Sequence, residues 1–249
     1  MEELVFLKQG DSKPLFKEGV VVLVDKPMEW TSFDVVSTLR NRVSRIEQVK
    51  RIKVGHAGTL DPLATGLLIV CIGKYTKKID GFQAQKKRYS GIITVGGIRP
   101  SYDMETEIEE EFPTEHITDE LVKEVVASFQ GEIQQKPPIY SAIKVDGERL
   151  YKKARRGQDV EIKSRKVTLH DFKITKREGN DFHFILDCSK GTYVRSLAFD
   201  FGKAVGSGGY LKSLRREMIG DFNITDAWEL DELKAQLDKW KEIVINNVS

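Results

Sequence analysis

Two almost unbroken apolar runs limit the fold most strongly: Gly19-Val20-Val21-Val22-Leu23-Val24 and Leu67-Leu68-Ile69-Val70-Cys71-Ile72. Each is far shorter than the roughly 20 apolar residues that a membrane-crossing helix needs. Both read as buried strands, since short β-branched runs that do not alternate with polar residues seldom lie at a surface. The first stops at Asp25-Lys26-Pro27, because proline has no amide to give a ladder. Beyond it, Ser32 is suited to cap a helix that carries Val35, Val36, Leu39 and Val43 on one face. Tyr89 to Val95 alternates as a third strand.

Further elements follow without a regular βα rhythm. A helix is expected from Thr118 to Phe129, with Gly131 as its stop. Strands are expected over 159–163, 166–175, 182–188 and near 209–218, and helices over 192–205 and 229–245. Such an order predicts an α+β fold with a mixed, largely antiparallel sheet flanked by helices. No glycine-, serine- or proline-rich linker interrupts the chain, so residues 1–249 are expected to form one domain. Residues 1–19 read as polar and irregular.

Charge is segregated, although the net charge is only +2. Between Arg40 and Arg88 there are twelve Lys or Arg and three acids, whereas Asp103 to Glu124 holds ten acids and one base, Lys123. More basic clusters occur at Lys152 to Arg156, Lys163 to Lys166 and Arg215-Arg216. This pattern fits either a face for a polyanion or charges that merely solubilise the surface. The acidic run from Asp103 to Glu111 reads as a solvated turn. Two cysteines, Cys71 and Cys188, make no disulfide framework, and no Cys/His spacing suggests a metal. The start, MEELVFLKQGDSK, lacks the pattern of a secretion signal, so a reducing cytoplasmic location is the default.

The segment richest in chemistry is Gly55-His56-Ala57-Gly58-Thr59-Leu60-Asp61-Pro62-Leu63-Ala64-Thr65-Gly66-Leu67-Leu68. Its glycines allow a backbone to approach a ligand closely. Pro62 fixes the chain beside Asp61, so the carboxylate could be preorganised next to a substrate; equally, Asp-Pro pairs often just begin turns. The Gly-Lys-Ser/Thr ending of a phosphate-binding loop is missing.

This segment closely resembles the catalytic motif of the TruB-type pseudouridine synthases and of their guide-RNA-dependent relatives. The likeness runs in order through roughly residues 20–220. Asp25-Lys26-Pro27 resembles the family's first motif, and Lys87-Arg88-Tyr89 the segment of its active-site tyrosine. Tyr140 to Lys144 and Gly147 to Tyr151 resemble an inserted RNA-clamping segment. Ser189-Lys190-Gly191-Thr192-Tyr193-Val194-Arg195 resembles the arginine motif, and Leu214-Arg215-Arg216 the last core element.

The resemblance implies an isomerase that converts uridine 55 in the T-arm loop of tRNAs to pseudouridine by flipping the base out. It needs no cofactor and no metal, and it is expected to act as a monomer with no protein partner and no membrane. Asp61 matches the essential carboxylate, Arg195 its cationic partner and Tyr89 the ring that stacks on the extruded base. His56, Lys26, Pro27, Leu214 and Tyr193 are the further substrate-binding candidates. Without the family, Tyr89 would pass as a strand residue, Lys26, Pro27 and Leu214 as turn and core, and Arg195 as a cation at the electrostatically poor end of a helix. Arg40, Arg51, Lys53, Lys152, Arg155 and Arg156 are the candidates for contact with RNA phosphates. About thirty residues follow Arg216, so the PUA domain that many family members carry is not expected.

Overall fold

The reason the two apolar runs do not alternate lies in what covers them. In this computed structural model, which describes residues 4–140, 144–145, 148–149, 156 and 162–246, β1 (Val20–Lys26) is buried on both faces. On one side Val20, Val22 and Val24 join Val35, Val36, Leu39 and Val43 of α1 (Ser32–Ile46) in one core cluster. On the other, Val21 and Leu23 pack with Leu67, Ile69 and Cys71, and with Tyr75 and Phe82. A strand with two apolar faces has no position left for polar residues.

The chain forms two compact units, Met1–Lys87 with Arg215–Ser249, and Arg88–Leu214. In the first, β2 (Val54–His56) and β1 each pair antiparallel with β3 (Ala64–Ile72). The glycine-rich stretch from Gly55 to Gly66 is therefore partly strand at both ends. A 3-10 turn and the short α2 (Ile79–Ala84), neither expected, close this part. Residues 4–19 are less irregular than they read. Leu7 and Phe16 are buried, and Leu7 N donates to Val21 O over 2.9 Å, so the segment lies along β1.

The cap of α1 is Thr31, not Ser32. Thr31 Oγ1 accepts from Asp34 N at 3.0 Å while the Asp34 carboxylate accepts from Thr31 N at 2.9 Å, a reciprocal capping box. Ser32 is freed for another task. Its hydroxyl accepts from Leu60 N at 2.8 Å and donates to Leu60 O at 3.1 Å, tying the first turn of α1 to the residue before Asp61.

In the second unit β4 (Lys87–Val95) is followed by the small pair β5 (Gly97–Ile98) and β6 (Glu110–Glu111). Next come α3 (Asp119–Ser128), capped by Thr118, and β7 (Gly131–Gln135). Helix α3 ends on Phe129, and Gly131, expected to be its stop, begins the strand instead. β8 (Lys144–Val145) and β9 (Glu148–Arg149) then form one short antiparallel pair. Of the basic cluster from Lys152 to Arg156, only Arg156 lies within the described residues. The long hairpin of β10 (Arg165–Glu178) and β11 (Asp181–Cys188) turns at Gly179, while Ile162 and Lys163, expected in a strand, lie outside any element. Helix α4 (Val194–Ala204) then leads to β12 (Gly209–Ile219), which runs through both units.

Within the second unit the strand order is β12-β4-β11-β10-β7, and Phe172, Phe182, Phe184 and Phe201 pack edge to face at its core. Gly202 lets α4 reach β12, since a Cβ there would stand 2.3 Å from Gly209 N. The chain ends in the first unit with β13 (Phe222–Asn223), β14 (Trp228–Glu229) and α5 (Leu230–Asn246). Its strands run β14-β1-β3-β12, and only β14 pairs parallel among the registers described. The fold is α+β, as expected.

Candidate active site

Asp61 sits half-buried at the tip between β2 and β3, on a loop fixed from several directions. Glu29 N donates to Pro62 O at 2.9 Å, and Ala64 N to Asp61 O at 3.0 Å. The fully buried ammonium of Lys26 donates to Trp30 O at 2.6 Å, Pro27 O at 2.8 Å and Pro62 O at 3.3 Å. From below, Arg216 donates through Nε to Leu67 O at 2.7 Å and through Nη2 to Gly58 O at 3.1 Å. Gly66 makes that brace possible. It has a φ of +103°, and a Cβ there would fall 2.4 Å from the Arg216 carbonyl oxygen.

Burial pushes the pKa of Lys26 down to about 8, against the opposing pull of the Asp61 charge, and Arg216 lowers it further. His56, at the end of β2, has its pKa lowered by burial and then by Arg216, so the ring is neutral at neutral pH. Lys26, Pro27, His56 and Asp61 thus belong to one braced loop system in the first unit.

Tyr89, Tyr193, Arg195 and Leu214 belong to the second unit. Tyr89 is buried in β4, and Leu214 is half-buried in β12. Arg195 lies in the first turn of α4, where the positive end of the helix disfavours a cation. It is nevertheless buried. Nη1 donates to Ser101 O at 3.0 Å, Nη2 to Tyr140 O at 2.9 Å, and Nε stands 3.5 Å from Asp103 Oδ2. Two carbonyls and a carboxylate offset both desolvation and the helix field. Tyr193 precedes it as the cap residue: its N–H donates to Gln135 Oε1 at 2.7 Å, and the Arg165 guanidinium covers its ring at 4.5 Å.

Several of these partners could not be singled out beforehand. Asp103, expected in a solvated turn, is only 5% exposed and its residue pairs with Leu211 in a parallel bridge. Nothing separates it in sequence from the acids that follow it. Arg215 and Arg216, counted as one basic cluster, divide: Arg215 forms a double hydrogen bond to Asp25 at 2.5 and 3.1 Å, and Arg216 is 1% exposed. Of the phosphate candidates, Arg40 is half-buried and Arg51, Lys53 and Arg156 are exposed, whereas Lys152 and Arg155 lie outside the described residues. Among the described residues no group of three or more His, Cys, Asp or Glu could hold a metal, and no helix is long and apolar enough to cross a membrane.

Residues 44–194 match the model of the TruB family pseudouridylate synthase N-terminal domain. That is more than half of the chain. The chain belongs to the TruB family. A relative from Flavobacterium johnsoniae named tRNA pseudouridine synthase B is 53% identical over 89% of this chain and 97% of its own length. One of the same name from Phocaeicola vulgatus is 47% identical over 93% and 99%. Among solved structures, that of a Cbf5-Nop10-Gar1 complex superposes with a TM-score of 0.68 at 27% identity over 91% of this chain. This chain spans 56% of that solved chain. As a TruB family member the protein is a pseudouridine synthase, an isomerase.

Proposed function

We propose that this TruB family protein isomerises uridine 55 in the T-arm loop of tRNAs, with Asp61 as the essential carboxylate. What carries the reading is the name shared by relatives that are 41–53% identical over most of the chain, tRNA pseudouridine synthase B. The braced loop around Asp61 supports the assignment of the carboxylate. A group that must meet one sugar carbon benefits from a backbone that cannot drift.

In the reaction the N1–C1′ bond breaks, the uracil turns and a C5–C1′ bond forms, while the C5 proton is given up and N1 gains one. Asp61 serves either as nucleophile at C1′ or as the base that takes a ribose proton. Arg195 is its cationic partner, held rigid by Ser101, Tyr140 and Asp103. Tyr89 stacks on the extruded base and offsets the few kcal/mol that unstacking costs. His56, Lys26, Pro27, Leu214 and Tyr193 shape the pocket. Arg40, Arg51, Lys53, Lys152, Arg155 and Arg156 hold phosphates, so tRNA binding falls steeply as salt rises. The protein works in the cytoplasm as a monomer.

The decisive experiment is Asp61→Asn, assayed on a tRNA transcript. Binding is expected to stay at the wild-type level, with pseudouridine formation lowered by several orders of magnitude. Turnover that survives the substitution would remove Asp61 from its role.

A further inference from the structure

Phe33 departs from the pattern of α1. Val35, Val36, Leu39 and Val43 turn into the core, but Phe33 is 63% exposed, and Met28 nearby is 52% exposed. A single exposed ring is unremarkable. Its surroundings are not. Arg40 lies two helical turns further on the same stripe, with its guanidinium carbon 6.0 Å from the ring centroid. That guanidinium is pinned, because Nη2 donates to Val54 O at 3.1 Å. Burial first, and then the charge of Arg51, disfavour its protonated form. Among the described residues no carboxylate forms an ion pair with Arg40, Arg51 or Lys53. Among the described residues the positive charge of this patch is therefore uncompensated.

The place matters as much as the charge. Ser32 binds both the N–H and the carbonyl of Leu60, so the residue immediately before Phe33 is tethered to the residue immediately before Asp61. Phe33 thus directly follows the residue that holds the Asp61 loop, and Arg40 lies further along α1, bonded to the start of β2. An acidic peptide could use the cations but would have no use for the ring. Single-stranded nucleic acid uses both, bases stacking on the ring and phosphates meeting the cations.

We propose that Phe33 and Arg40 form a stacking site for a second unpaired base of the RNA, beside the nucleotide on which Asp61 acts, while Arg51 and Lys53 take the adjoining phosphates. This rests on the tRNA reading given under the proposed function. Because every base has a π-face, the site tolerates any nucleotide and adds affinity more than sequence choice.

The test uses the full chain, with Phe33→Ala, Phe33→Tyr and Arg51→Gln made both in the wild type and in Asp61→Asn. Binding of a tRNA transcript is measured at several salt concentrations, and pseudouridine formation is followed in the active set. Phe33→Ala is expected to weaken binding roughly tenfold or more. KM rises in step, the salt slope is unchanged, and Phe33→Tyr restores affinity. Arg51→Gln instead flattens the slope of log K against log salt by about one. Wild-type affinity in Phe33→Ala, with the unaltered enzyme still modifying tRNA, overturns the stacking site and leaves the tRNA function standing. A lower kcat at unchanged KM also overturns it, since Phe33 would then serve the geometry of the loop. If the unaltered protein neither binds nor modifies tRNA, both readings fall together.

Discussion

The Asp61 loop and the outer face of α1 both draw on basic residues, and they use them in opposite ways. Lys26 and Arg216 are buried and aim their N–H groups at backbone oxygens on either side of Asp61. Arg51 and Lys53 are exposed, and Arg40 is held by one carbonyl, with no carboxylate paired to it among the described residues. In the first region the cations are struts, and their desolvation is offset by backbone carbonyls. In the second they are available for an anion from outside. A lysine or arginine counts the same in a charge tally. What decides its job is whether backbone oxygens surround it.

The largest effect that could break this contrast belongs to Arg216. Replacing it with alanine removes two hydrogen bonds to the motif and leaves Leu67 O, Gly58 O and a side-chain-sized void in the core. Losses of this kind cost about 3–5 kcal/mol, a large share of the about 5–15 kcal/mol that holds an ordinary domain. Urea denaturation followed by circular dichroism measures it. Arg51→Gln should move the same midpoint by no more than about 0.5 kcal/mol. Equal losses from the two substitutions would erase the distinction between strut and free cation.

Much of the fold was readable in the residues, and the site less so. The two apolar runs located β1 and β3, and the spacing of Val35, Val36, Leu39 and Val43 located the buried face of α1. These signals are local, a few residues burying one stripe. The cap of α1 was displaced by one residue because the Ser32 hydroxyl is drawn away by Leu60, a partner 28 residues distant. The same limit hid Asp103, whose neighbours Arg195 and Leu211 come from far along the chain. Glycine-rich character marked the 55–66 segment, but nothing in it disclosed that Arg216 would brace it.

Lys26 offers a sharper test, because its proton can be removed without a mutation. Folding lowers its pKa from 10.5 to about 8. The unfolded chain therefore holds the proton more tightly, and this group's contribution to stability improves as pH rises from about 8 to 10.5. The loop responds in the other direction. A neutral amine has two hydrogens for three carbonyls, and its field on Asp61 is gone. Activity is thus expected to decline as pH passes about 8, while this group's contribution to the melting temperature does not. Lys26→Met, similar in volume, should have lower activity at neutral pH and lack that decline. The same alkaline limb persisting in Lys26→Met would assign the titration to another group.

The smallest predicted effect lies at Glu29, which joins the two regions. Its backbone has a φ of +66°, in the left-handed region, and its N–H donates to Pro62 O at 2.9 Å. A side chain in that conformation costs about 1–2 kcal/mol, and glycine would remove this strain while adding freedom to the unfolded chain. The first term is the larger, so Glu29→Gly is expected to stabilise the fold by about 0.5 kcal/mol. The bond to Pro62 needs only the backbone and is kept, so tRNA modification should be unchanged. Thermal unfolding and a turnover assay check the two halves separately. A lowered midpoint would mean that the Glu29 side chain itself stabilises the turn between β1 and α1. A loss of turnover at an unchanged midpoint would mean that the loop depends on the stiffness of this residue, which would make the strain part of how Asp61 is held in place.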